Sequence, residues 1–126
     1  AEEAAKFYCT VFGNSRIISS NPMVTSFELD GKKFMGLNGG PLFKFNEAVS
    51  FVVNCETQDE IDYFWDRLTE GGEESQCGWL KDKYGVSWQI VPSVLEELMS
   101  DPKKAPRVIE AFLKMKKFDI ETLLQA

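Results

Sequence analysis

The chain has 126 residues, 44% of them hydrophobic and 13% aromatic, with a formal net charge of −6 and no histidine. That length suits one domain around one core, no apolar run approaches the roughly 18 residues of a membrane span, and the negative balance argues against nucleic acid or an anionic lipid surface as partner. Without histidine, the commonest general base and the commonest transition-metal ligand are both missing.

Ala1-Glu2-Glu3-Ala4-Ala5 is acidic and helix-forming, unlike a basic segment followed by an apolar signal stretch. Ala4, Phe7, Tyr8, Val11 and Phe12 recur at helical spacing and Gly13-Asn14 follows, so residues 1–12 are expected to be a helix. A short strand at 15–20 comes next. The alternation of Met23, Thr25, Phe27 and Leu29 with Val24, Ser26 and Glu28 then predicts a strand over 23–29. Asp30-Gly31 suits a type I′ turn, which pairs that strand with Lys32–Leu37 as a hairpin ending at Asn38-Gly39-Gly40-Pro41.

Residues 43–47 are expected to link to a buried strand over 48–55, rich in Val and Phe. Thr57 and Glu60 form a capping box for a helix whose apolar stripe is Ile61, Phe64, Trp65 and Leu68, stopped by Gly71-Gly72. Strands over 74–81 and 86–91 flank the turn Asp82-Lys83-Tyr84-Gly85. An even-length loop there would put Trp79 and Trp88 on one face. Ser93 with Glu96, Asp101 before Pro102, and Asp119 are helix-start signals in a C-terminal helical appendage. Leu95, Leu98 and Met99, then Val108, Ile109, Phe112 and Met115, give that appendage apolar faces that must dock on the sheet or on a second subunit.

The element order reads as one pattern written twice, over 1–41 and 48–92, with 93–126 following. The fold class is α+β. Cys9, Cys55 and Cys77 are an odd set with no Cys-x-x-Cys spacing, which points to a reducing, cytoplasmic setting and not to a disulfide framework or zinc knuckle. Cys77 is a conceivable nucleophile, but a thiol needs a base or cation to become thiolate. With no histidine, only Lys81 or Lys83 could serve, and an inert cysteine is the simpler reading. No catalytic residue is assigned. Asn38-Gly39-Gly40 is a turn in the first instance, and Glu73-Glu74 is a solvated pair whose neighbours point to opposite faces of a strand.

Three stretches carry a family likeness: A-E-E-A-A-K-F-Y at 1–8, F-E-L-D-G-K-K-F-M-G-L-N-G-G-P at 27–41, and G-G-E-E-S-Q-C-G-W-L-K-D-K-Y-G-V-S-W-Q-I-V-P at 71–92. They resemble the PhnB-like group of the vicinal-oxygen-chelate superfamily, which includes glyoxalase I, extradiol dioxygenases, fosfomycin-resistance enzymes and bleomycin-binding proteins. The resemblance implies paired βαβββ modules sharing a ligand cleft. Relatives carry a strand before the first helix and a longer segment near 20–23. Their lack here is read either as residues not included or as a strand supplied by a partner, in a homodimer with strand exchange.

The superfamily's metal enzymes place a histidine and a glutamate at positions matching Ala48 and Gln89, so the resemblance implies no metal and no cofactor for this chain. It also puts the Gln89 side of its strand toward the cleft. Strand alternation then joins Ser87, Gln89 and Val91 with Ser50, Val52 and Asn54, leaving Trp88, Phe51 and Val53 for the helix layer. Asn38, Ser50, Val52, Cys77, Trp79, Ser87 and Gln89 are therefore the expected ligand-binding residues. The expected function is binding or metal-free conversion of a small molecule. Methyl transfer to a quinone, the label this group often carries, and a dimeric interaction module are the alternatives.

Overall fold

A computed structural model describes all 126 residues, which form two compact units, Ala1–Lys44 and Phe45–Ala126. No helix is long and apolar enough to cross a membrane.

The first unit is helix α1 (Glu2–Val11) with a three-stranded antiparallel sheet of β1 (Arg16–Ser20), β2 (Val24–Leu29) and β3 (Lys32–Leu37). Of the expected apolar face of α1, Tyr8 and Val11 are buried together with Ala5, while Ala4, Phe7 and Phe12 are half-buried. Strict alternation on β2 buries Thr25, Phe27 and Leu29, and Phe27 stacks between Tyr8 and Phe34. The predicted turn forms with positive φ at both central residues, Asp30 (52°) and Gly31 (77°), and closes Leu29 onto Lys32.

The second unit holds β4 (Phe51–Cys55), α2 (Gln58–Thr69), β5 (Glu73–Glu74), β6 (Trp79–Lys81) and β7 (Ser87–Pro92) in a mixed sheet of order β4-β7-β6-β5, with β4 parallel to β7. Helices α3 (Val94–Met99), α4 (Ala105–Phe112) and α5 (Ile120–Gln125) belong to the same unit. Ile61, Trp65 and Leu68 of α2 and Leu80, Trp88 and Ile90 of the sheet are buried and form its core. Thr57 caps α2 by accepting from the Glu60 amide at 3.2 Å. The Glu60 carboxylate reaches back one residue beyond the cap, to the Glu56 amide at 3.1 Å.

Several expectations are corrected. The strand expected from 48 begins at Phe51, because Asn46 Oδ1 accepts from the Ala48 amide at 2.9 Å and holds 46–48 in a turn. The strand expected over 74–81 is broken at 75–78, where Cys77 (φ 57°) and Gly78 (φ 81°) are left-handed and donate their amides to the carbonyls of Met115 and Lys116, at 2.8 and 2.7 Å. Trp79 and Trp88 lie on opposite faces. The register pairs Trp79 with Gln89 and Leu80 with Trp88, because Asp82 draws both the Tyr84 and Val86 amides to its carboxylate and the loop has odd length.

In the C-terminal region Ser93 does not cap α3, since its hydroxyl donates to Glu56 instead. Asp101 spends its acceptors on one isolated turn, so α4 starts only at Ala105 with Pro106 in its first turn. Asp119 does cap α5, accepting from the Thr122 amide at 3.1 Å.

Candidate functional site

The face of the four-stranded sheet turned away from α2 is where the expected site residues collect. β7 alternates, with Trp88, Ile90 and Pro92 in the core and Gln89 and Val91 only half-buried on the other side. β4 follows in register, Val52 beside Gln89 and Asn54 beside Val91. Trp79 stands opposite Gln89 on β6. One row across three strands is thus Val52, Gln89 and Trp79, and Val52 is 54% exposed. Gln89 Nε2 donates to Ser50 Oγ at 2.9 Å, which places Ser50 over the same face although it precedes β4.

A second row holds Ser87, Lys81 and Glu73, paired directly across β7, β6 and β5. Glu47, from the turn before β4, reaches over this row to form an ion pair with Lys81. The hydrogen bond from Lys81 holds the Glu47 carboxyl below its ordinary range, and the same bond holds the Lys81 ammonium above its own. Both groups are charged at neutral pH. Glu47, Glu73, Trp79, Lys81 and Ser87 line a hollow of about 120 Å³. Ser87 is only 1% exposed, and its hydroxyl has no hydrogen-bond partner.

At the other end of the face lies an open groove of about 590 Å³, with Asn54 and Val91 from the sheet, Pro92 beyond them, and Leu95, Glu96 and Met99 from α3. The α3 residues carry no signal in the sequence beyond helical amphipathicity, so their place beside the sheet face is a result of tertiary structure. Glu47 and Glu73 were likewise invisible as site residues. Once the Trp79–Gln89 register is known, parity alone puts Glu73 and Lys81 beside Ser87.

Two of the expected residues belong to neither row. Asn38 belongs to the first unit, where its Oδ1 accepts from the Ala1 ammonium at 2.6 Å and its Nδ2 donates to the Pro22 carbonyl at 2.9 Å, so it ties the hairpin end together. Cys77 sits in the break before β6, its amide held by Met115. Asp82, which looked like a turn residue, is 3% exposed and also accepts from the Trp88 indole at 2.8 Å, so it is a structural carboxylate under the β6–β7 loop.

The superfamily's metal set does not fit this chain. Ala48 offers no donor atom and Gln89 directs its amide nitrogen to Ser50. No three Cys, Asp or Glu side chains come together in a group able to hold a metal ion.

The family model for 3-demethylubiquinone-9 3-methyltransferase matches residues 1–91. Among solved structures, the chain is similar to a PhnB protein from Bacillus cereus that bears the same methyltransferase name provisionally. The two are 34% identical with a TM-score of 0.66, over 73% of this chain and 90% of that one. A Pseudomonas aeruginosa protein matches at 18% identity and a TM-score of 0.59, over 73% and 88% of the two chains, which is a likeness of fold. No curated protein matches the sequence.

Proposed function

Because the chain belongs to the 3-demethylubiquinone-9 3-methyltransferase family, the PhnB-like group of the vicinal-oxygen-chelate superfamily, we propose that it holds a small organic molecule on the open face of its second sheet. The observation that carries this reading is the half-buried face itself. Val52, Gln89, Trp79 and Val91 stand clear of the core, the Gln89–Ser50 pair supplies a fixed polar point among them, and a groove of about 590 Å³ opens beside Asn54 and Val91. A concave, largely apolar surface with a few placed polar groups is the usual form of a ligand site. Cys77 enters this reading only as a flanking residue, and Asn38, which belongs to the first unit, is not part of it.

The methyl transfer in the family's printed name has less support. A nucleotide-like methyl donor commonly sits on a glycine-rich turn from strand to helix. Here the β4–α2 turn is Cys55-Glu56-Thr57, with no glycine, and the helix start is already occupied by the Thr57 and Glu60 side chains. Saturable binding of S-adenosylmethionine in a titration would restore that reading.

The same proposal sets the protein in the cytoplasm as a homodimer. Its three cysteines are all free thiols, and Met23, Met35, Leu37, Leu42 and Phe43 of the first unit are strongly exposed. The test of the ligand reading is a thermal-shift screen of hydrophobic acids, quinones and antibiotics. A specific ligand raises the melting temperature by mass action, and Gln89→Ala abolishes the rise. A screen in which no compound stabilises the fold would sink it.

A further inference from the structure

The hollow at the β5 end of the sheet combines features that the broader reading leaves unused. Its charged lining is Glu47, Lys81, Glu73 and Glu74, the last of which accepts from the Trp65 indole at 3.0 Å. Lys81 neutralises one carboxylate through its ion pair with Glu47, so the lining carries two negative charges in excess. Ser87 lines the same hollow from the same sheet face as Lys81, 99% of the residue is shielded from solvent, and its hydroxyl has no partner. A buried polar group without a hydrogen bond is costly, and a ligand that supplies the bond removes the cost. Trp79 forms another wall, and an indole face attracts a cation. The volume of about 120 Å³ matches about four waters of liquid, so it admits a small head group and not a whole cofactor.

We propose that this hollow binds the primary ammonium head group of the protein's small-molecule ligand, with Glu73 and Glu47 balancing its charge, Ser87 Oγ accepting one N–H, and Trp79 covering it. The assignment rests on the reading that this sheet face is the ligand site, and it makes that ligand an amine. The excess negative charge excludes a carboxylate or phosphate head group, which would have to displace Glu47 from Lys81 and face Glu73.

The test is a titration of the full-length, isotope-labelled chain with ethanolamine, protonated at neutral pH, and separately with acetate, followed by nuclear magnetic resonance. Saturable shifts of the Trp79 indole and the Lys81 and Ser87 amides with ethanolamine, and none with acetate, are expected. Ser87→Ala should weaken that binding about tenfold, the scale of one hydrogen bond to a charged group. Glu73→Gln should weaken it about threefold, the scale of an exposed ion pair. Absence of saturable shifts with ethanolamine overturns the proposal, as does binding of acetate in its place. If ethanolamine fails while an amine-free apolar compound still stabilises the fold through Gln89, only the amine assignment falls. If both fail, the ligand face itself is wrong.

Discussion

Ser87 is the residue whose chemistry the structure leaves most exposed to test. Its hydroxyl is buried, on a residue paired with Lys81 across the sheet, and has no hydrogen-bond partner, whereas the buried Trp88 indole finds one in Asp82. Removing an unsatisfied buried hydroxyl removes its desolvation penalty. Ser87→Ala is therefore expected to stabilise the unliganded protein by about 1 kcal/mol, read as a higher urea midpoint at unchanged slope. A lower midpoint would mean that the hydroxyl has a partner after all.

Cys55 makes the opposite kind of prediction, one about pH. It is fully buried at the end of β4, and burial, helped by Glu60 and Glu56, pushes its thiol from 9.0 up to about 11. The unfolded thiol ionises first. Stability from this group is therefore complete below pH 9 and is lost as pH rises toward 11, by about 1 kcal/mol at pH 10. Urea midpoints at pH 8 and pH 10 should fall by that much more in the wild type than in Cys55→Ala. Equal falls in the two proteins would contradict the assignment.

Among the elements, the junction between β5 and β6 shows how a strand can be interrupted from a distance. Gly78 is left-handed, and a Cβ there would lie 2.4 Å from the Phe118 ring and 2.9 Å from the Ile90 carbonyl. Gly78→Ala should cost about 2 kcal/mol or more, because backbone strain and displacement of Phe118 act together. Chemical denaturation measures the loss, and a ring-current change at Phe118 locates it. A change under 0.5 kcal/mol would show that the C-terminal segment yields freely.

This junction also marks what the sequence could not show. Asp30-Gly31 announced its hairpin because turn chemistry is local, and the alternation on β7 separated Trp88 from Gln89 because pleating is local too. The break at 75–78 depends on carbonyls at 115 and 116, and no window around Cys77 contains them. The side of Trp79 hung on a single residue of loop length, set by how many amides Asp82 accepts. The late start of β4 came from a side-chain turn at Asn46 that competes with an otherwise apolar run.

For the molecule as a whole, the legible part was the ordering of helices and strands and the family, both carried by patterns spread over many residues. The candidate site was legible only in part. Ser50, Val52, Trp79, Ser87 and Gln89 do share a sheet face, while Glu47, Glu73 and the α3 wall of the groove emerge only from pairing and packing. The exposed apolar side chains, Phe43 at 85% and Leu42 at 79% foremost, give a prediction at this scale. Sedimentation at micromolar concentration is expected to report a dimer, and Phe43→Glu to shift it toward monomer. A wild-type monomer under those conditions would contradict it.

The bonds from Cys77 and Gly78 to Met115 and Lys116 also set an order of events in folding. The β5–β6 corner takes its shape only when the last helices arrive, so the sheet that carries the proposed ligand face is completed by contacts far apart in sequence, which slows folding. During synthesis the corner must stay unlocked until the C-terminal segment has been made. In the finished protein, hydrogen exchange at those two amides should report the docking of α4 and α5 and not the local stability of β6.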